Sequence, residues 1–97
     1  MNHYLLTPRA KQDFREIANW YRRQRGPEAA RKAVRDIRAQ LDQLGRNPEI
    51  GHVEEDLGSR DHLFWTHRQF LIVYLRGIKP LQIVTIWDAR RGAPELV

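Results

Sequence analysis

Apolar residues recur at helical spacing in two stretches of the chain and at strand spacing in several others. In the first helical stretch Ala10, Phe14, Ile17, Ala18 and Tyr21 fall on one stripe, with Trp20 at its edge. Thr7-Pro8 supplies the start signal. A hydroxyl caps the first free amides, and a residue with fixed φ suits the first helical position. Arg25-Gly26-Pro27 breaks the stripe, and Pro27 opens a second helix. There Ala30, Ala33, Val34, Ile37, Leu41 and Leu44 form the apolar face, while Arg31, Lys32, Arg35 and Arg38 largely turn away from it. Gly45 is expected to end this helix, and Asn47-Pro48 to prevent its resumption. Two helices joined so closely form a hairpin. Its stripes read as core, so Phe14, Ile17, Val34, Ile37 and Leu41 are expected to be buried against Ile72 and Val73.

Tyr4 to Leu6 reads as a short first strand. Residues 46–59 read as a loop, bent at Gly51 and Gly58 and carrying an acidic patch, Glu54-Glu55-Asp56. Beyond it the period becomes strand-like. His62 to Thr66 is one strand, and His67-Arg68-Gln69 is a turn. Phe70 to Leu75 is apolar at every position, as in a central strand covered on both faces. Gly77 to Pro80 makes another turn, and Leu81 to Trp87 is a third run rich in β-branched residues. Short connections favour antiparallel hairpins. The expected fold is α+β, ordered β-α-α-β-β-β: an N-terminal strand and an α-helical hairpin packed on a twisted antiparallel β-sheet. With 97 residues, the chain suits a single domain over 1–97.

Composition narrows the chemistry. No apolar run approaches the roughly 20 residues that span a bilayer. The opening Met1-Asn2-His3-Tyr4 lacks a basic segment followed by an apolar one, so no secretion signal is expected. There is no cysteine, which excludes disulfides, thiolate zinc sites and a cysteine nucleophile. A cytoplasmic protein is expected. The net charge is +5, and 14 of the 17 basic residues are arginine. The surplus lies between Arg9 and Arg46, which hold 11 basic and 5 acidic residues. Arginine's planar fork suits phosphates and carboxylates, so an acidic partner is expected, whether nucleic acid or protein.

Several fragments resemble one family, the ParE/RelE toxins of type II toxin–antitoxin systems. "YLLTPRAKQDFREIANWY" is similar to the family's first strand and helix. "GPEAARKAVRDIRAQLDQLGRNPEIGH" is similar to its second helix and the following Pro-Glu-Ile-Gly loop. "FLIVYLRGIKPLQIVTIWDARRGAPEL" resembles its last hairpin and basic C-terminal segment. The resemblance covers almost the whole chain in order. It implies a growth-inhibiting toxin neutralised by a cognate antitoxin, acting either as a ParE-like block of DNA gyrase or as a RelE-like endonuclease that cuts mRNA on the ribosome.

Metal-free RNA cleavage needs a base, an acid and cations for the phosphate charge. The RelE pattern sets basic residues at alternating positions on the strand before the central hairpin. Another arginine follows the last strand, and a tyrosine lies farther on. Here the alternating positions read His62, Phe64 and Thr66. Arg90 is retained, and the tyrosine position falls near Leu96. Arg60, Arg68 and Arg91 are the other cations of this region. A histidine-based version would use His62, His67 and Arg90, against the plainer reading of the histidines as strand-end or turn residues. His3 and His52 look structural, and no histidine spacing suggests a metal site, so neither metal nor cofactor is expected. The missing cations favour the ParE mode, with Trp87, Arg90 and Arg91 contacting the target. The plainer alternative there is a solvated basic turn. The antitoxin is expected on Trp20, Arg31, Arg35 and Arg38. The bland alternative for these arginines is a solvated face paired with Asp13, Glu16, Asp36 and Asp42.

Overall fold

The computed structural model describes residues 3–53 and 61–91, the backbone alone at Arg91. The acidic patch Glu54-Glu55-Asp56, Gly58, Arg60 and Leu96 lie outside these residues, as do Met1 and Asn2. The elements are β1 (Tyr4–Leu6), α1 (Pro8–Arg25), α2 (Pro27–Arg46), β2 (His62–His67), β3 (Phe70–Leu75) and β4 (Leu81–Asp88). Short 3-10 turns follow α2 at Pro48–Ile50 and β4 at Ala89–Arg91. The order and the α+β class are those the periodicity predicts.

The four strands lie in the order β1-β4-β3-β2. β2, β3 and β4 form the expected antiparallel meander. β1 instead joins β4 in parallel, Tyr4 beside Leu81, so the sheet is mixed. The helical hairpin is the crossover that lets the first strand run parallel to the last.

Thr7 does two jobs at the start of α1. Its hydroxyl oxygen accepts from Ala10 N at 3.2 Å, and its hydroxyl donates to Val84 O at 2.9 Å. Thr7 N also donates to Ile83 O at 3.1 Å. Asp13, one turn on, accepts from the Thr85 hydroxyl and from Ile86 N. The outer edge of β4 beyond β1 is thus occupied by α1. Gly26 joins the helices at φ 94°, a left-handed conformation that a side chain would strain.

Gly45 does not end α2, which runs through it to Arg46. A Cβ at Gly45 would sit 2.6 Å from His3 Cβ, so the glycine serves the close approach of the chain entering β1. The loop after α2 is pinned from the sheet. Tyr74 donates its hydroxyl proton to Pro48 O at 2.6 Å and accepts from Gly51 N at 2.8 Å. A Cβ at Gly51 would overlap that hydroxyl, which gives the glycine of Pro-Glu-Ile-Gly its reason. His52 then pairs with Phe64 through two backbone hydrogen bonds of 2.9 and 2.8 Å, covering part of the outer edge of β2.

The core joins the helical hairpin to one face of the sheet. Ala10, Ile17, Ala30, Ala33, Ile37, Leu41 and Leu44 meet Leu63, Phe70, Ile72, Tyr74, Ile83 and Ile86, all buried. Phe64 and Val73, opposite each other in register, are also fully buried but outside this cluster. Strand alternation puts them on the other face. Phe14 and Val34, expected in the core, are only half-buried. Phe14 packs against the edge of the core, and Val34 lines a groove on the hairpin.

Candidate functional site

Asp88 ends β4 with 3% of its surface exposed. A buried carboxylate must be hydrogen-bonded, and this one is. The Tyr21 hydroxyl donates to its Oδ2 at 3.4 Å, and Arg90 N donates to Oδ1 at 2.9 Å. Gln69 in turn donates its side-chain amide to the Tyr21 hydroxyl and accepts from Ala89 N at 2.7 Å. The backbone that carries Arg90 is therefore fixed from α1 and from the β2–β3 turn together. The Arg90 guanidinium lies 6.0 Å from the Tyr21 ring centre, at the outer limit of a cation–π contact.

Arg90 borders a cleft of about 430 Å³. Its other cations are Arg25 at the end of α1, Lys32 on α2 and Arg68 in the β2–β3 turn, with Asp36 the one carboxylate among the lining residues. Arg68 adopts φ 55°, unusual for a residue other than glycine, and sits 3.7 Å from Asp36.

The candidate catalytic residues do not converge. His62 and His67 are the two ends of β2. A separation of five residues puts them on opposite faces and about 16 Å apart along the strand. His67 pairs across from Phe70, and Phe70 from Asp88, so only His67 shares an end of the sheet with Arg90. Trp87 is half-buried and pairs across from Leu71. The side chain of Arg91 is outside the described atoms. Among the described residues, no group of three or more His, Asp or Glu side chains is placed to hold a metal ion.

The outer side of the hairpin carries a second feature. Ala18, Ala30 and Val34 floor a shallow groove bordered by Arg22, Arg31 and Arg35. The adjoining hollow continues past Phe14, Arg15 and Arg38 to Tyr4, Leu5 and Leu6 of β1. Arg38 stands 5.7 Å from the Phe14 ring centre. Arg31 pairs with Glu28 on the surface, a contact worth little in water. Of the four residues expected to meet an antitoxin, Arg31, Arg35 and Arg38 share this face. Trp20 does not: it packs edge-on against Tyr21, ring centres 4.9 Å apart, beside Glu16, Asn19 and Arg23.

Beside Tyr4 in this hollow, burial raises the phenol's pKa, the charge of Asp42 adds to the rise, and Arg38 opposes it. Sequence reasoning set Arg68 beside Arg90 but missed Arg25 and Lys32, which come from the two helices. Val34, which lines the outer groove, was hidden on a stripe that read as core.

Over residues 4–92 the chain matches the family model described as the ParE toxin of the type II toxin–antitoxin system, parDE. Among solved structures it is similar to the chromosomal ParDE toxin–antitoxin system from P. aeruginosa. The identity is 26% over 88% of this chain and 92% of that one, with a TM-score of 0.75. No curated protein sequence matches it.

Proposed function

Because the chain belongs to the ParE toxin family of type II toxin–antitoxin systems, we propose that it arrests growth by binding DNA gyrase rather than by cutting RNA. The observation that carries this reading is the placement of His62 and His67 at opposite ends and on opposite faces of β2. An acid and a base must reach the same phosphodiester, and these two do not. A contact inhibitor needs only a shaped and charged surface. The Asp88–Tyr21–Gln69 network presents Arg90 as part of one, with Trp87 and Arg91 as neighbours in sequence.

The cognate antitoxin occupies the arginine-edged outer groove of the hairpin. An amphipathic acidic segment fits it: apolar side chains on Ala18, Ala30 and Val34, and carboxylates on Arg31, Arg35 and Arg38. Trp20, on another side of α1, would be reached only by a segment that wraps farther. No helix among the described residues is long and apolar enough to cross a membrane. The gyrase reading places the protein in the cytoplasm.

The test expresses two double variants without antitoxin. Arg90→Ala with Arg91→Ala should abolish growth arrest and gyrase inhibition, while melting temperature and antitoxin pairing stay near wild type. His62→Ala with His67→Ala should remain toxic. A general acid or base contributes a factor of roughly 100 to 10,000 in rate, so a ribonuclease using the histidines would lose nearly all toxicity. Transcripts cut at defined codons by the wild type, but not by the histidine variant, would overturn the gyrase reading.

A further inference from the structure

We infer that the cleft bordered by Arg25, Lys32, Arg68 and Arg90 is a binding site for the sugar–phosphate backbone of DNA. The inference deepens the gyrase reading and rests on it, since gyrase acts on DNA and a toxin bound there meets the strand the enzyme holds.

Three observations point to a phosphodiester. The four cations converge from four separate elements: the end of α1, the face of α2, the β2–β3 turn and the segment after β4. Arginines along one helix face are the ordinary solvated surface of a basic protein, whereas cations gathered across the fold repel one another and gain from a shared anion. Second, Asp36 is the only carboxylate among the lining residues, leaving a surplus of three positive charges. A single partner carboxylate would leave most of that surplus unmet, and consecutive backbone phosphates would not.

Third, the cleft is held in shape. Tyr21 and Phe70 are buried beneath it with ring centres 6.3 Å apart. Arg90 is fixed through Asp88, and Arg68 stands on a left-handed backbone beside Asp36. That φ is the one a two-residue hairpin loop requires of its first residue, so the β2–β3 turn fixes where Arg68 leaves the backbone. A volume of about 430 Å³ lies within the usual range for small-molecule sites, and holds a nucleotide's sugar and phosphate. The outer groove differs in kind, since alanines and a valine floor it, which suits a peptide.

The probe is a fluorescent single-stranded DNA 12-mer, titrated with the full chain while anisotropy is read across a series of salt concentrations. Each phosphate contact on a single strand adds about 0.7 to the slope of log affinity against log salt. Arg25→Ala with Lys32→Ala should lower that slope by roughly 1.4 and weaken binding at low salt at least tenfold. Arg46→Ala with Arg76→Ala, which removes equal charge far from the cleft, should stay within twofold of wild type.

Should the first pair melt early, Arg68→Gly carries the test. Glycine suits the left-handed turn, and the slope should fall by about 0.7. Equal losses from both double variants would show diffuse charge attraction and overturn the site. So would an RNA 12-mer bound ten times more tightly than DNA, which favours the ribonuclease reading, or a glutamate-rich peptide displacing DNA at equal charge concentration. Gyrase supercoiling is measured in parallel. A protein that binds DNA through the cleft yet leaves supercoiling untouched upholds the cleft and overturns the gyrase target.

Discussion

Tyr74 carries two roles on one side chain: its ring fills the core, and its hydroxyl holds the Pro-Glu-Ile-Gly loop. Tyr74→Phe keeps the ring and leaves Pro48 O and Gly51 N without their partner. Each of these partly buried hydrogen bonds contributes about 0.5–1.5 kcal/mol net, so the variant should melt a few degrees lower. Burial raises the Tyr74 pKa above 10.0, with the charge of Glu49 adding to the rise and the hydrogen bond from Gly51 opposing it. The folded state therefore binds the phenolic proton more tightly than the unfolded chain does. That stability is fully present below pH 10 and is lost as pH rises through the folded pKa. Urea melts at a series of alkaline pH values check this: the wild type should lose more stability above pH 10 than Tyr74→Phe does. Parallel curves would assign the alkaline loss to other groups.

Each helix has an inward and an outward apolar side, and mutational cost should separate them. Ile37→Ala or Leu41→Ala opens a cavity in a packed core and should cost about 2–5 kcal/mol. Val34→Ala, at the floor of the outer groove, should cost less than about 1 kcal/mol, since a half-exposed side chain loses less burial. Its effect should appear in antitoxin affinity. Denaturant melts and a titration with the antitoxin read the two quantities. A Val34→Ala protein as unstable as Ile37→Ala would refute the outward placement.

The same distinction marks what was legible in the chain. Spacing gave the helix phase through Ala30, Ala33, Ile37, Leu41 and Leu44. It also gave the central place of β3, because local periodicity reports local structure. It placed Val34 in the core and Phe14 deeper than the core's edge, where it packs, since a stripe does not say how wide the covered sector is. Gly45 read as a stop, because the close approach of His3 is a long-range contact. β2 runs one residue beyond the expected Thr66, to His67, where its pairing with Phe70 closes the hairpin. The parallel pairing of β1 with β4 and the approach of Arg25 and Lys32 to Arg68 and Arg90 join segments far apart in sequence, so no window along the chain contains them.

For the molecule as a whole, α2 separates two basic surfaces of different character. Val34, Arg31 and Arg35 lie toward the outer groove, while Lys32, Ala33 and Asp36 lie toward the Arg90 cleft. An antitoxin segment and a target can thus be recognised by different residues of one helix, and their losses should separate in variants.

The way α1 sits against β4 carries a consequence for the protein at high concentration. Unpaired strand edges recruit other chains, and here Thr7 and Asp13 engage the outward groups at Ile83, Val84 and Ile86. Asp13→Ala would uncover the Ile86 amide, one donor of that edge, for a neighbouring molecule to pair with. Light scattering should then show growing particles at concentrations where the wild type stays monodisperse, and melting should fall by several degrees. A variant that stays monodisperse would mean that the hairpin shields that edge by bulk alone. In the wild type the Asp13 carboxylate is one of the groups that keep the β4 edge from templating another chain.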